Sequence, residues 1–436
     1  MLPASSVARV GPRVLLFLGL CSLGGLHPST AQPAPLVLRL DTLLAEVRRA
    51  NPSLQAARLE AAARAQVGAQ VAALPDPVVS VTAFPFPILT AFGAQRTQWR
   101  VEQRTPWPGT RRLRAEAANH AAAAAQHDAE ALALDLALGV QQAYYALIQL
   151  DRTEIVLQAY QERLAVFTEA TLVRYEVGQG TQGAALQLSL ERDRLTAQRQ
   201  ALGVRRAAAL QQLARLTDRP ALAHRPAALT LDAPPWPAPS SPAVPDLLQR
   251  RPEAQGLRAN AERAATETAL AHQAFYPDLG LGLTYVDVAP RDRPATADGT
   301  DALGITVSAR VPLQRGRLRA RVAETRLRQQ QVEARQAALR TAIETEVAVL
   351  TETLRREAET VALYRSQLLP QATATAESVR AAYTTGQVSY TAFLDAERTR
   401  FQLQLALEEA HGRYLHAHAL LDRALGTHLP STPTSR

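Results

Sequence analysis

Short motifs in the first half of this 436-residue chain recur in the same order in its second half. The distance between partners is about 200 residues and drifts slowly, as small insertions in loops would make it. The fold must therefore contain two similar units, which we place at residues 32–217 and 245–426. A proline-rich connector at 218–244 separates them, and a tail follows at 427–436. The repeated motifs are Pro52 with Arg58 and Pro252 with Arg258, Pro75-Asp76 and Pro277-Asp278, Arg112-Leu113-Arg114-Ala115 and Arg317-Leu318-Arg319-Ala320, and Tyr175-x-x-Gly178-Gln179 and Tyr383-x-x-Gly386-Gln387.

Each half predicts the same order of elements: a helix, two strands, a very long helix, a glycine-containing turn and a return helix. Asp41 is the predicted N-cap of the first helix, and Pro370 predicts a kink in the second long helix. The fold class is therefore mainly α with a small β part, built from long, coiled-coil-like helical hairpins and four strands. The predicted segments are 41–73, 77–86, 95–105, 111–175 and 186–216, and then 245–274, 279–288, 302–312, 317–383 and 393–425.

The predicted strands have the length of membrane-spanning strands. Tilted strands of about nine to eleven residues cross a bilayer, and Leu281, Leu283 and Tyr285 share one side of the third strand. Four such strands leave two edges unpaired in lipid, where each unsatisfied backbone group costs several kcal/mol. Pooling strands from several copies removes these edges, so we predict an oligomer. The helices are much longer than a bilayer is thick, and they must extend into water.

The N-terminus has the features of a secretory signal peptide. Arg9 and Arg13 supply positive charge, residues 14–26 form a short apolar stretch, and Ser29-Thr30-Ala31 fits a cleavage site. We therefore predict a signal peptide at residues 1–31. No later stretch is apolar enough for a membrane-spanning helix, which leaves the strands as the predicted membrane segments.

The only cysteine, Cys21, lies inside the predicted signal peptide. A lipoprotein signal is the alternative, but Leu20 is bulky where that signal requires a small residue. We favour simple cleavage, which leaves a mature chain without disulfides or thiolate ligands.

The chain carries a net charge of +8, and its basic residues are all arginine. The arginines alternate with acidic residues, as at residues 191–194 and 397–400. This pattern predicts solvated helix faces with ion pairs rather than a surface for nucleic acid.

Three other patterns are weak. Residues 178–183 read G-x-G-x-x-G, but a predicted helix precedes them where a dinucleotide site requires a strand. His411, His416 and His418 cluster near the C-terminus, yet the last two cannot share a helix face as metal ligands would. No catalytic constellation is present in the sequence, so we expect neither an enzyme nor a cofactor.

Taken together, the motifs resemble the TolC-like family of outer membrane efflux proteins along nearly all of the mature chain. The matching residues are Leu43-Leu44-x-x-Val47-x-x-Ala50-Asn51-Pro52-x-Leu54, Tyr175-x-x-Gly178 with Leu186, Tyr383-x-x-Gly386 with Leu394, and Tyr414, Leu421 and Gly426. The resemblance implies a homotrimer with a twelve-strand barrel in outer membrane lipid and an α-helical tunnel in the periplasm. It also implies a periplasmic adaptor (membrane fusion) protein and an inner-membrane pump, with an RND pump as one candidate. The chain would then form a passive exit duct for drugs, metal cations or other small molecules.

The two glycine-containing turns correspond to the periplasmic tips, where members of the family meet the adaptor and gate the channel. The resemblance therefore assigns docking or gating to Tyr175, Gly178, Gln179, Gly180, Thr181, Tyr383, Gly386, Gln387, Val388 and Ser389. Many relatives place an acid directly after the turn. Here the nearest is Asp395 in the second half, which we take as the candidate lumen acid.

Two other classes of protein remain open. An exported coiled-coil scaffold or adhesin would have loops in place of the strands, but it does not explain why strand-like segments recur at matching places. A periplasmic enzyme would need a catalytic site, and the sequence offers none.

Overall fold

The computed structural model describes residues 36–176, 182–224, 227–229 and 244–426. The predicted signal peptide, most of the connector and the C-terminal tail lie outside the described residues. The described chain is mainly helical with a small sheet part, as predicted. Its elements are β1 (Leu36–Leu38), α1 (Leu40–Ala50), α2 (Pro52–Ala72), β2 (Val78–Thr90), β3 (Gly93–Thr105), α3 (Thr110–Glu176), α4 (Gln182–Thr217), a 3₁₀ turn (Pro220–His224), β4 (Ala227–Leu229), α5 (Val244–Arg250), α6 (Pro252–Gln273), β5 (Asp278–Ala289), β6 (Ala302–Arg310), α7 (Arg315–Leu363), a π-helical turn (Tyr364–Leu368), α8 (Leu369–Thr384) and α9 (Tyr390–Leu425).

The first predicted helix is divided in two by Asn51 and Pro52. Proline has no N–H to continue the helical ladder, and Asn51 adopts an extended conformation. Its side chain accepts a 3.1 Å hydrogen bond from Leu54 N, so it caps α2. Asp41 is not an N-cap, because α1 starts one residue earlier and Asp41 lies in its first turn. The corresponding helix of the second half is divided in the same way at Pro252.

The long helices agree closely with their predicted limits. Helix α3 has 67 residues, which corresponds to about 100 Å at 1.5 Å per residue. In the second half, α7 and α8 flank the π-helical turn Tyr364–Leu368, which directly precedes Pro370. The predicted kink therefore takes the form of a local widening of the helix, as is common for π-helical turns.

The two strand pairs form one antiparallel sheet with the strand order β2-β3-β5-β6. The central pairing joins the two halves, with Trp99 opposite Tyr285. Strand β2 is longer than predicted and runs through Pro85 and Pro87, with a register shift between Ala83 and Ile88. Proline is tolerated there because β2 is an edge strand. A separate parallel pair joins β1 to β4.

The core lies along the helices. One buried cluster includes Tyr144, Leu213, Leu354 and Leu415, which come from α3, α4, α7 and α9. A second cluster lies closer to the turn between α8 and α9 and joins α3, α4 and α9. Burial of these side chains is worth about 1.5–3 kcal/mol each, so the four long helices are held together along their length.

Helix α3 corrects one expectation from the sequence. Its segment Thr110–Glu169 contains a stretch that is long and apolar enough to cross a membrane by length and composition alone. More than half of that stretch, 56%, is buried inside the chain. A core helix passes the same test, so this stretch is weak evidence for a membrane-spanning helix.

Candidate functional site

The four-stranded sheet has one apolar face. Residues directly opposite each other in antiparallel strands point to the same side, and neighbours along a strand alternate between sides. The side chains of the apolar face are exposed in the single chain, up to 77% for Val307. A continuous apolar surface of this kind marks a binding or membrane surface. The apolar face comprises Val79, Val81, Trp99, Val101, Leu279, Leu281, Leu283, Tyr285, Leu303, Ile305 and Val307.

The other face of the sheet is predominantly polar. One cross-strand row of this face consists of Ser80, Arg100, Thr284 and Gly304. Arg100 Nε lies 3.3 Å from Thr284 Oγ1, and Arg104 Nε forms an ion pair of 3.0 Å with Glu102 Oε1. The sheet is therefore built to separate an apolar medium from water.

Aromatic side chains mark the end of the sheet where strands give way to helices. The rings of Trp107 and Tyr276 stack with centroids 4.9 Å apart. Aromatic residues of this kind are enriched at the boundary between the apolar part of a membrane and water.

The turn between α8 and α9 is fully described. Gly386 has a φ of 77°, a conformation that suits glycine at the end of a helix. Gln387 N donates to Ala382 O at 2.8 Å, and Gly386 N donates to Tyr383 O at 3.1 Å. These two bonds satisfy the last carbonyls of α8 in the manner of a Schellman motif.

Ser389 starts the next helix. Its Oγ accepts a hydrogen bond of 3.3 Å from Ala392 N, which makes it the N-cap of α9. Gln387 and Ser389 are exposed, and Val388 is half-buried. The turn thus has a fixed backbone and an accessible surface.

An aromatic cluster supports this turn. Phe393 is completely buried. The ring of Tyr383 stacks on it with centroids 5.1 Å apart, and Phe167 meets it edge-on at 4.5 Å. Tyr390 contacts Tyr383 at 6.1 Å. The cluster therefore anchors the turn of the second half to α3 of the first half.

An ionic cluster lies next to the aromatic cluster and joins α4 to α9. Arg398 Nη2 donates to Glu191 Oε2 at 2.8 Å, and this bond raises the pKa of Arg398. Arg400 pairs with Glu397 at 2.8 Å, and both side chains are buried. Arg163 of α3 approaches Glu397 at 3.9 Å. Ion pairs therefore connect three helices beneath the turn.

Two tyrosine hydroxyls face this ionic cluster. The hydroxyl oxygens of Tyr160 and Tyr390 are buried and have no hydrogen-bond partner in the described part of the chain. Burial, and then the nearby Glu191, raises the pKa of Tyr160 above its usual value. Burial likewise raises the pKa of Tyr390. Both hydroxyls therefore stay protonated at neutral pH.

The predicted tip residues fall into two groups. Tyr383, Gly386, Gln387, Val388 and Ser389 are brought together in the turn between α8 and α9. In the first half, Tyr175 is exposed in the last turn of α3. The remaining first-half residues lie outside the described residues, and they are Gly178, Gln179, Gly180 and Thr181.

Asp395 lies just beyond the second turn and is exposed. Its Oδ1 is 3.7 Å from Arg398 Nη1, and its side chain is 73% accessible. A lumen role for this carboxylate stays a prediction.

The three histidines do not converge. His411 Nδ1 lies 2.5 Å from Arg152 Nη1, whereas His418 Nδ1 lies 2.9 Å from Asp422 Oδ2. Within the described ranges there is no group of His, Cys, Asp and Glu residues that could hold a metal ion. The element that precedes the G-x-G-x-x-G motif is the helix α3, where a dinucleotide site requires a strand.

The ionic cluster was not predicted from the sequence. The alternation of acidic residues and arginines at 191–194 and 397–400 predicts solvated helix faces, whereas Glu191, Glu397 and Arg400 are buried. One signal was available: the pattern Glu-Arg-x-Arg occurs in both segments, at similar distances after the two glycine-containing turns.

Comparison with known proteins gives a family match for part of the chain and a set of similar folds. Residues 243–427 match the model of the outer membrane efflux protein family. No curated protein sequence matches the chain. The outer membrane protein VceC of Vibrio cholerae is 22% identical, with 89% of this chain and 96% of that chain covered and a TM-score of 0.73.

Two outer membrane channels give similar values. CmeC of Campylobacter jejuni is 15% identical, with 89% of this chain and 85% of that chain covered and a TM-score of 0.73. The open state of MtrE of Neisseria gonorrhoeae is 19% identical, with 89% of each chain covered and a TM-score of 0.73. At these identities the similarity shows a shared fold.

The family match covers the second of two halves with the same order of elements, and the shared fold covers both. Residues 243–427 are therefore similar to the outer membrane efflux protein family, and the chain shares its fold with solved outer membrane proteins.

Proposed function

We propose that three copies of the chain form a passive exit duct of a tripartite efflux pump. The observation that carries this proposal is the four-stranded sheet, which has an exposed apolar face and an edge strand on each side. Within the described chain, β2 and β6 pair on one side only. In lipid these edges would leave backbone groups unsatisfied, so the sheet needs partners.

Copies of the same chain fit those edges. Successive strands in the order β2-β3-β5-β6 run in opposite directions, so β6 of one copy meets β2 of the next in antiparallel orientation. Head-to-tail contacts of this kind form a ring when the rotation between neighbouring copies closes. Family resemblance sets the number of copies at three, which gives a twelve-strand barrel with the polar face inside.

The helices extend the ring into a tunnel. Helix α3 spans about 100 Å at 1.5 Å per residue, several times the thickness of a bilayer. Helices α3 and α7 begin within six residues of β3 and β6, so the walls of barrel and tunnel are continuous. The duct itself supplies no energy, which comes from the inner-membrane pump.

The turn between α8 and α9 is the proposed docking and gating surface for the periplasmic adaptor. Its exposed polar residues and fixed backbone suit recognition by a partner. The same role extends by the repeat to the turn after Tyr175. Drugs, metal cations or other small molecules are the proposed cargo, and a pump of the RND type is the proposed partner.

Cysteine cross-linking across the strand edges tests the ring. The chain has one cysteine, Cys21, inside the predicted signal peptide. After the predicted cleavage, disulfides can therefore form only between the engineered cysteines. Ser80→Cys on β2 is combined in turn with Gly304→Cys, Thr306→Cys or Ser308→Cys on β6. Because disulfides need Cα atoms within about 7 Å, we expect one combination to cross-link neighbouring copies into a closed trimer on a denaturing gel.

The matched control combines Ser80→Cys with Thr284→Cys on the inner strand β5, which should stay monomeric. Cross-links that stop at dimers, or a ladder beyond trimers, would exclude a three-membered ring. An exported scaffold or adhesin predicts no cross-link at these edges and solubility without detergent.

A further inference from the structure

Arginines are concentrated where the sheet passes into the long helices. The segments that follow β3 and β6, residues 106–115 and 311–323, contain no acidic residue. Together they carry seven arginines within the first turns of α3 and α7 or beside them. This arginine collar consists of Arg111, Arg112, Arg114, Arg315, Arg317, Arg319 and Arg321.

Helix stability does not account for the arginine collar. The start of a helix is the positive end of its dipole, so a cation there is unfavourable. Neither α3 nor α7 has an acidic residue in its first turn to offset this. The unfavourable arrangement occurs at the same place in both halves, so a requirement other than helix formation maintains it.

Ion pairing does not account for it either. Arg112 approaches Glu116 at 3.4 Å, and Arg111 Nε donates to Ala72 O at 2.7 Å. The guanidinium of Arg315 lies 5.8 Å from the centre of the Phe275 ring. Six members have no carboxylate partner in the part of the chain that the structure describes, and they are Arg111, Arg114, Arg315, Arg317, Arg319 and Arg321.

The arginines of α7 lie on both sides of the surface by which this helix packs against its neighbours. Leu318 and Val322 are buried and define the side of α7 that packs inward. At 100° per residue, Arg319 falls on one flank of that buried ridge and Arg317 and Arg321 fall on the other. All three are exposed. The exposed arginines of α7 therefore lie on both sides of its buried ridge.

The location fits the headgroup level of the inner leaflet. The apolar face ends near Leu279, and the stacked pair Trp107 and Tyr276 follows directly. Aromatic pairs mark the interface, so the arginine collar lies just beyond the apolar part of the bilayer. Each basic residue close to an anionic lipid surface is attracted to it electrostatically.

We propose that the arginine collar binds anionic phospholipid headgroups of the periplasmic leaflet and thereby fixes the height of the channel in the membrane. This inference rests on the proposed insertion of the sheet. The guanidinium group is suited to phosphate because its planar fork donates two hydrogen bonds to it. The partner is recognised by charge, so binding weakens as salt increases.

Tryptophan quenching tests the proposal. The chain contains three tryptophans, Trp99, Trp107 and Trp236. A reporter with only Trp107 (Trp99→Phe, Trp236→Phe) is reconstituted with brominated phosphatidylglycerol or brominated phosphatidylcholine of the same chains. We expect phosphatidylglycerol to quench Trp107 with an apparent affinity about fivefold higher at low salt, and we expect the preference to disappear at high salt.

In the test variant Arg317→Gln/Arg319→Gln/Arg321→Gln, the ratio of the apparent affinities for phosphatidylglycerol and phosphatidylcholine should fall close to one. The matched control Arg335→Gln/Arg365→Gln/Arg380→Gln removes three exposed arginines farther along the same helical run and should keep the preference for phosphatidylglycerol. Equal quenching by both lipids in the parent, or an equal loss in test and control variants, would overturn the proposal.

A second reporter separates this proposal from the proposed function. Trp99 lies in the middle of the apolar face, and a reporter with only Trp99 measures insertion of the sheet. Failure of both lipids to quench Trp99 would contradict membrane insertion. Strong quenching of Trp99 by both lipids, without a preference at Trp107, would contradict the arginine collar alone.

Discussion

Arg398 on α9 donates a hydrogen bond of 2.8 Å to Glu191 on α4, and these residues are 207 positions apart in the sequence. The bond links the helical hairpin α3–α4 to the helical hairpin α7–α9 close to the turn between α8 and α9. The carboxylate is almost completely buried, with a side-chain exposure of 9%. Because an isolated buried charge is costly, separation of the hairpins requires either water or a new partner at this point.

Replacement of Glu191 by glutamine should weaken the link between the hairpins. We expect a loss of about 2 kcal/mol, below the range for fully buried pairs because Arg398 is partly exposed. The thermal unfolding midpoint at a fixed scan rate should decrease, and the resting conductance of the reconstituted channel should increase. Glu352→Gln, in an exposed pair on α7, is the matched control and should change neither; an unaltered conductance in Glu191→Gln would argue against a gating role.

Gly386 should tolerate alanine poorly although nothing crowds it. A Cβ at this position meets no atom within 4 Å, but the φ of 77° is strained for alanine. We expect Gly386→Ala to cost about 1 kcal/mol. Gly203 of α4 also has open space around it and no positive φ, so Gly203→Ala should stabilise by up to about 1 kcal/mol. The free energy of unfolding, measured with denaturant, should decrease in Gly386→Ala and increase in Gly203→Ala. Changes of the same sign in the two variants would refute the strain at Gly386.

The aromatic cluster beneath the second turn should contribute strongly to stability. Phe393 is completely buried between rings from α3 and α8, so Phe393→Ala should cost about 3–5 kcal/mol. Phe393→Leu keeps most of the volume and should cost less. Tyr175→Ala, at an exposed ring at the end of α3, is the control. A large effect of Tyr175→Ala and a small effect of Phe393→Ala in thermal unfolding would contradict this assignment.

The elements of the fold follow from local patterns and the internal repeat. The limits of α3 were predicted within one residue at each end, because nothing interrupts the helical period over its length. The break at Asn51 and Pro52 was missed, although proline and a capping asparagine are local signals. The pairing of β3 with β5 was not predictable, because it joins residues about 190 positions apart.

The functional surfaces were predicted less completely than the fold. The second turn was found because glycine at a helix end has a local signature. The burial of Glu191 and Glu397 was not predicted, because Glu-Arg alternation is typical of exposed helices and only the packing of α4 on α9 reverses this. The arginine collar was visible in the repeat, but its position beside the apolar face requires the sheet register.

Glu253 joins two arginines at the level where α6, α7 and α9 meet. Arg251 Nε lies 3.5 Å from its carboxylate, and Arg423 Nη2 lies 2.5 Å from it. Arg251 is itself buried and pairs with Glu346 at 2.6 Å. Burial alone would raise the pKa of Glu253, but its backbone hydrogen bond and the two arginines outweigh burial and hold the pKa below its ordinary value of 4.5.

Acid should therefore remove the stabilisation that Glu253 provides. A carboxyl group whose pKa is lower in the folded state stabilises fully above its unfolded pKa, and it loses this contribution as the pH falls through the folded value. We expect Glu253→Gln to lower the unfolding midpoint at pH 7, and we expect the difference from the parent to shrink steadily below pH 4.5. Glu359→Gln, at an exposed position on α7, is the matched control and should change the unfolding midpoint at pH 7 only slightly. A difference for Glu253→Gln that persists unchanged at acidic pH would mean that the side chain stabilises through packing rather than through its charge.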